Sequence, residues 1–501
     1  MNDLNAHILL STSQMAAADR YTIENGTDGA TLMQRAGTAV AAQVMQRFDR
    51  QPVVVLVGPG NNGGDGFVVA QALHNKGWPV RVGLLGEMDA LSGDAAIMAA
   101  KYNGEVHPLH PFLLNERGLV VDALFGTGIS RPISGVAAEV IEKLNRLRLP
   151  CVAVDIASGI DGDTGQIMGC AVQAQTTITF HRKKFGHVLL PGAKHCGEVV
   201  VVDIGIAPDA LDKEKLNVHE NTPLLWQNML PWPHCDSHKF TRGHAVVQGG
   251  AVAYTGAARL AARAALRSGA GLVSITCSRE ALPVYAAALE AVMTRPIVDI
   301  EGLVDLLKDP RITAFLIGPG AGVNSDTHEK LLAALKLKKP VVMDADALSV
   351  AAQNPQPIFD ILQNVPAILT PHGGEFARLF GNAAYHSSDK ISLTRHAAEL
   401  SNAVVVLKGS DTVVAAPDGR VSVNIETSPW LATAGTGDVL AGICCGLLAA
   451  NMPAFEAASA AVWMHSAAAR YFGAGLIAED LPDILPRIWQ TLEESITDGS
   501  T

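Results

Sequence analysis

The sequence predicts an α/β protein of two units, each a parallel sheet covered by helices on both faces. Three observations carry this. Apolar, β-branched runs alternate with helical stretches along the chain. The alternation stops over a Pro-, Asp- and Asn-rich stretch at 207–240 and then restarts. Glycine-rich breaks follow strands in both halves, "VVVLVGPGNNGGDGF" at 53–67 and "AFLIGPGAG" at 314–322.

In order, an initial helical stretch over roughly 12–47 precedes strands expected at 52–57, 79–85, 118–124, 150–156, 176–180 and 197–205. Amphipathic stretches such as 67–76 and 135–147 lie between them. Apolar strands spaced by helices imply parallel βαβ units, a Rossmann-like three-layer sandwich. The break at 207–240 shows no strand rhythm and places the boundary near 220. This gives a first domain over 10–217 and a second over 223–497. Strands are then expected at 244–250, 271–277, 314–320, 340–348, 366–372 and 402–409, with a hairpin over 412–424 turning at Asp418-Gly419. The last stretch of the chain reads as helix, and no short internal repeat is present.

Composition excludes several classes. The 501 residues are 48% hydrophobic and 17% charged, which describes a globular chain with a large core. A formal charge of −11, without a basic stripe, argues against a nucleic-acid partner. The seven cysteines form no CxxC pair, so neither a disulfide framework nor a zinc site is expected. The longest apolar run, "VLAGICCGLLAA" at 439–450, is far short of the ~20 residues that span a bilayer and reads as a buried helix. No secretory signal is read, and the expected location is the cytoplasm, with a homo-oligomer as the expected assembly.

Ligands of open α/β sheets bind beyond the carboxyl ends of the strands. Three such ends in the first half carry polar groups: Asn61, Asn62 and Asp65; Asp122; and Asp155 with Ser158. A single acid at a strand end is often only a helix cap. Three together beside a glycine-rich turn make pure capping a poor account. Gly58, Gly60 and Gly63 match G-x-G-x-x-G, a weak pattern alone. A dinucleotide reading meets two obstacles: Asp65 would face a pyrophosphate, and Pro59 lacks an N–H. The expected ribose acid is met only loosely by Glu87 or Asp89. A cup of amides and acids suits a hydroxyl-bearing ligand or a hard cation better. Phosphate suits "GTGISRP" (126–132), where open backbone N–H groups accompany the Arg131 fork.

In the second half, Gly435, Thr436 and Gly437 precede an apolar helix with Asp438 in its first turn. Free N–H groups and the helix dipole make an anion site there. Asp438 is placed to take a proton from a hydroxyl attacking a phosphoryl group. The plainer alternative is an acid complementing the helix dipole, although that requires no open Gly-Thr-Gly. "LKGSDT" (407–412) adds a cation and hydroxyls. "GPGAG" (318–322) offers open backbone or a plain turn, "TPHGGE" places His372 at a strand end in a structural or a ligand role, and "GGAVAYTGAA" brings backbone near Ala253.

"GPGNNGGDG", "DALFGTGISRP" and "VDIASGIDGDTG" together resemble the epimerase half of NAD(P)H-hydrate repair enzymes, over about 10–215. The resemblance implies that hydrated NAD(P)H binds at Asn61, Asn62, Gly63, Gly64 and Asp65, at Gly126, Thr127, Gly128, Ile129, Ser130, Arg131 and Pro132, and at Asp155. It implies potassium on Asn62, Asp122 and Ser158. Epimerisation needs proton transfer at the C6 carbinol centre, and Asp155 is the acid/base candidate. "GPGAG", "MDADAL", "LTPHGGE", "LKGSDT" and "AGTGD", in that order over about 225–495, resemble the ADP-dependent NAD(P)H-hydrate dehydratases, with a ribokinase-like fold. This implies hydrate contacts from Ala253, Gly322, His372 and Asp438, and nucleotide contacts from Lys408, Gly409, Ser410, Asp411, Thr412 and Gly437. ADP is then a co-substrate and magnesium a companion of its phosphates, with no dedicated carboxylate cage for the ion. Two other readings stand beside this one: a ribokinase-like small-molecule kinase fused to a Rossmann-like binding domain, and a nucleotide-sensing or partner-binding first half without catalysis.

Overall fold

Val53–Val57 is five consecutive buried residues, "VVVLV". A strand apolar on both faces is stable only between two layers, and this one lies in the interior of its sheet. The computed structural model describes residues 4–114, 117–212, 214–381 and 389–498. The chain divides into two compact units, Ile8–Leu216 and Asn217–Thr501 together with Met1–His7.

In the first unit the strands are β1 (Val53–Val57), β2 (Val80–Leu84), β3 (Val106–Pro108), β4 (Leu119–Ala123), β5 (Cys151–Val154), β6 (Thr176–Phe180) and β7 (Glu198–Val202). Their order is β3-β2-β1-β4-β5-β6-β7, every pairing parallel. The order reverses between β1 and β4, so the carboxyl ends of these neighbours open a crevice. Short β3 escapes the sequence pattern. So does the start of the helix Asn61–Asn75: "NNGGDG" is its first turns and not a loop. Close approach explains the glycines. A Cβ on Gly58 would lie 1.7 Å from the Leu124 carbonyl oxygen, and one on Gly63 1.9 Å from that of Gly58.

The second unit holds β8 (Val218–Glu220), β9 (His244–Gln248), β10 (Leu272–Cys277), β11 (Met293–Pro296), β12 (Ile312–Ile317), β13 (Val341–Met343), β14 (Ala367–Leu369), β15 (Val404–Leu407), β16 (Val413–Ala415) and β17 (Val421–Val423). Their order is β11-β10-β9-β12-β13-β14-β15-β16-β17-β8. Pairings are parallel except β15 with β16 and β16 with β17. The expected hairpin is present, with Gly419 at φ 91° in its turn.

Two expectations are corrected here. The stretch 207–240 does contain a strand: β8 pairs Val218–Glu220 with Val421–Val423, a partner about two hundred residues away that no local pattern reveals. The stretch 340–348 is a strand only over Val341–Met343, because Ala345 turns to φ 47° and a helix, Ala345–Ala351, begins.

The apolar run at 439–450 forms the buried helix Thr436–Ala449. Gly442 and Gly446, one turn apart, let it lie directly on the helix Thr255–Arg267. Their Cβ atoms would come within 2.2 Å of the Ala261 oxygen and 2.4 Å of the Ala265 oxygen. Among the described residues no helix is long and apolar enough to cross a membrane.

Candidate active sites

The crevice at the β1/β4 reversal is a cavity of about 530 Å³. Asn61, Asn62 and Asp65 reach it from the helix after β1, Gly126 to Ile129 from the loop after β4, and Asp155 from the end of β5. Gly63 and Gly64 lie beneath the surface as packing contacts. Ser130, Arg131 and Pro132 do not line the cavity, and all three are exposed. The expected phosphate fork, Arg131, therefore lies outside the lining of the cavity.

Asp155 sits at φ 64°, a strained backbone for a residue other than glycine, of the sort that clusters at functional sites. Its carboxylate is held on several sides. Lys184 Nζ lies 2.8 Å from Oδ1, the Thr179 hydroxyl donates to Oδ1 at 3.2 Å, and the Thr127 N–H donates to Oδ2 at 3.3 Å. Burial pushes this carboxyl upward, but the Lys184 charge and hydrogen bond, with lesser help from the Thr127 N–H, outweigh it and hold the group below its ordinary value. Asp155 is thus a carboxylate and a base. His187 Nε2 donates to the Asp155 carbonyl at 2.8 Å while its Nδ1 accepts the Lys184 N–H at 2.9 Å. Burial and the Lys184 charge lower His187 to about 4, so it is neutral.

Asp122 and Ser158 lie beneath the cavity floor, fully buried. The Ser158 hydroxyl donates to Asp122 Oδ1 at 2.6 Å, and its N–H to Oδ2 at 2.8 Å. Burial raises Asp122 to about 6 against these hydrogen bonds. Asn62 contrasts with them: it is buried, and neither its Oδ1 nor its Nδ2 has a partner among the described residues. An orphaned buried amide is costly unless a ligand or ion satisfies it. Oxygen donors from an amide, a carboxylate and a hydroxyl fit an alkali cation.

Sequence reasoning missed Lys184, Thr179, His187 and Asp19. Lys184 falls in "HRKKFGH", which reads as a solvated basic stretch, yet its side chain is 1% exposed.

In the second unit the helix Thr436–Ala449 starts after Gly435, at φ 89°. The Thr436 hydroxyl donates to the Leu431 and Thr433 carbonyls, pinning the preceding loop. Asp438, in the first turn, is raised to about 6 by burial and by Asp344, with Lys408 opposing and Asp346 adding to the rise. Lys408 Nζ lies 2.8 Å from Asp344 Oδ1 and 3.9 Å from Glu375 Oε2. Burial disfavours its charge, but Asp344, Glu375 and Asp438 outweigh burial and keep it an ammonium. A Cβ on Gly437 would stand 3.5 Å from Lys408 Nζ, so the cation sits at the helix start. Lys408, Gly437 and Asp438 are therefore brought together.

The other expected residues surround this point or serve the scaffold. Gly322, at φ 86°, donates its N–H to Asp346 at 2.8 Å. The short helix Val252–Tyr254 exposes Ala253. His372 caps the helix Gly373–Phe380, its Nδ1 accepting the Gly374 N–H at 3.0 Å, which gives it a structural role while the ring remains half exposed. The Thr412 hydroxyl closes the turn after β15 on the Gly409 carbonyl, and Asp411 pairs with Lys390. The carbonyl of Ser410 accepts from Thr427. Asp344 and Glu375 were not singled out, although "MDADAL" and "LTPHGGE" contain them. Among the described residues no group of three or more His, Cys, Asp or Glu is arranged as a metal site.

Comparison with known proteins places both halves. The family profile described as NAD(P)H-hydrate dehydratase matches residues 245–489, and that described as YjeF-related protein N-terminus matches residues 29–186. The chain is 37% identical to the bifunctional NAD(P)H-hydrate repair enzyme of Salinibacter ruber and 35% identical to that of Moorella thermoacetica. These alignments cover 96% of both chains in the first case, and 97% of this chain and 98% of the other in the second. Among solved structures, an ADP/ATP-dependent NAD(P)H-hydrate dehydratase from Bacillus subtilis, co-crystallised with ATP/Mg2+, is 30% identical. It aligns over 56% of this chain and 100% of its own, with a TM-score of 0.48.

Proposed function

The chain belongs to the bifunctional NAD(P)H-hydrate repair enzymes, and we propose that its Ile8–Leu216 unit epimerises the R and S hydrates while its Asn217–Thr501 unit dehydrates the S hydrate, converting ADP to AMP and phosphate. The observation that carries the first assignment is Asp155: a strained, charge-paired carboxylate on the wall of a cavity large enough for a nicotinamide nucleotide. In this reading the hydrated ring lies among Asn61, Asn62, Asp65 and the backbone of Gly126 to Ile129, with Asp155 accepting a proton at C6. Gly63 and Gly64 shape the wall from below, and Ser130, Arg131 and Pro132 meet the ligand only at the rim. Potassium would be held by Asn62, Asp122 and Ser158. Its charge would satisfy the orphaned Asn62 Oδ1 and favour oxygen ligands near C6.

For the second unit the supporting observation is Asp438 beside Lys408 at a free helix N-terminus. There the helix N–H groups and Lys408 hold the transferring phosphoryl group, and Asp438 accepts the proton of the C6 hydroxyl. The new O–P bond forms as the bond to AMP breaks. The C6–O bond then breaks, phosphate leaves, and loss of a proton from C5 restores the dihydronicotinamide. Ala253, Gly322 and His372 border the hydrate, and Gly409, Ser410, Asp411, Thr412 and Gly437 border the nucleotide. Any magnesium would arrive chiefly on the phosphates.

Incubation with mixed R and S hydrates and ADP, following NADH absorbance and orthophosphate together, tests both assignments. Stoichiometric release of NADH and phosphate, with consumption of both epimers, is expected. A stable phosphorylated product would instead identify a small-molecule kinase.

A further inference from the structure

Asp155 is already ionised, so it can accept a proton at C6 but cannot first supply one. The C6 hydroxyl is part of an N–C–O unit, and one route to inverting that carbon, assisted by the N1 lone pair, breaks the C–O bond and re-forms it from the other face. The departing oxygen needs a proton donor. The helix Thr12–Glu24 carries one to the cavity. Asp19 lines it together with Asp155 and Lys184. Its side chain makes no hydrogen bond or ion pair among the described residues, and it is only partly exposed.

The groups around Asp19 come from several elements: Asp155 after β5, Lys184 after β6, Asp65 on the helix after β1, and Asp94 on the helix Gly93–Lys101. We propose that Asp19 is the proton donor of the epimerisation, opposite in role to Asp155; this rests on the reading of the cavity as the epimerase site.

Asp19 gives its proton to the C6 hydroxyl. The C6–O bond breaks as the ring N1 lone pair forms a C6=N1 double bond, and water leaves. A water molecule then adds to the other face of C6, the electron pair returns to N1, and the surplus proton passes to Asp155. Exchange with solvent returns the proton from Asp155 and reprotonates Asp19, so each cycle takes up one water and releases one. Burial raises the Asp19 carboxyl to about 6 despite the nearby Lys184 charge, with Asp155 adding to the rise. Two carboxyls driven apart in this way mark an acid and a base. Asp65 is also raised, by burial and by Asp155 and Asp19, but it is more deeply buried and less able to exchange protons with solvent on each turnover.

The test uses the full-length protein, with hydrate epimers separated chromatographically and the uncatalysed rate subtracted. Wild-type epimerase kcat/KM should fall as pH rises through about 6. Asp19→Asn, with an unchanged melting temperature, should lose about 10²–10⁴-fold in kcat with little change in KM, and should lack that limb. Asp155→Asn is measured alongside. If it is inactive while Asp19→Asn retains wild-type kcat, this inference alone is overturned; if both retain activity, the site reading fails too. A wild-type profile flat from pH 5 to 8, or an acid limb abolished by Asp65→Asn and kept in Asp19→Asn, also overturns it.

Discussion

Lys184 Nζ lies 2.8 Å from Asp155 Oδ1 and 2.7 Å from the Thr179 hydroxyl, with its side chain 1% exposed. A buried lysine stays charged only when a carboxylate and further acceptors meet it. The pair works in both directions: Asp155 satisfies the ammonium, and the ammonium keeps Asp155 ionised.

Replacing Lys184 with Met should therefore cost more than a surface ion pair. Removing one partner of a buried pair costs about 3–5 kcal/mol, because the other charge is left stranded. Asp155 sits at the cavity wall, so the lower figure is expected. The sign follows from linkage. A depressed carboxyl contributes stability above its unfolded pKa and loses it as pH falls through the folded value. The Lys184→Met penalty should thus be full at pH 7 and shrink as pH falls below about 4, the unfolded value, toward the depressed value at which Asp155 protonates in the folded protein. Thermal melting at pH 7 and well below pH 4 measures it. Equal losses at both would assign the effect to packing alone.

Asn62→Ala should weaken the epimerase and raise the half-activating potassium concentration about tenfold, equivalent to about 1.4 kcal/mol. Since the Asn62 amide has no partner, its removal strands no donor or acceptor, and melting without potassium should be nearly unchanged. Asp122→Ala also removes an oxygen, yet it strands the Ser158 and Leu124 N–H groups, so it should lower stability as well. Unchanged potassium dependence in both variants would make these residues structural only.

Gly58→Ala tests the first glycine turn. An added methyl would meet the Leu124 carbonyl at 1.7 Å, a backbone atom that cannot rotate aside. Destabilisation of about 1–3 kcal/mol is expected, with epimerase loss exceeding dehydratase loss in the full chain. Gly60→Ala, where a Cβ meets nothing, is the matched control. Equal stability of the two variants would refute the packing account.

The legible parts of this chain were those encoded locally. Apolar runs such as "VVVLV" announced the central strands, and "AGTGD" announced a helix start with an acid beside it. What escaped depends on partners distant in sequence. Val218–Glu220 is a strand only because β17 supplies its ladder. Lys184 resembles a surface lysine until β5 and β6 bring Asp155 and Thr179 to it. Asp19 looks like any polar residue of an amphipathic helix, since nothing nearby in sequence says that its face borders a cavity. Arg131, whose chemistry suits phosphate, is exposed on the loop after β4, outside the lining of the cavity.

The last prediction concerns Asp438, which burial and Asp344 raise to about 6. A base with a pKa just under the working pH is mostly ionised and still basic enough to accept a proton. Dehydratase kcat should therefore rise with pH through about 6 and level above it. Asp438→Asn keeps the size of the side chain, removes the proton acceptor, and should lower kcat by about 10²–10⁴-fold while abolishing the limb. ADP should bind as well or more tightly, because a negative charge near Lys408 and the phosphates is gone. Epimerisation, assigned to Ile8–Leu216, should be unaffected, whereas Asp155→Asn should stop epimerisation and leave dehydration of pure S hydrate intact. Phosphate release and epimer ratios, followed for both variants from pH 5 to 8, measure this. If Asp438→Asn dehydrates at the wild-type rate, the acid only complements the dipole of the helix Thr436–Ala449, and another group must take the hydroxyl proton.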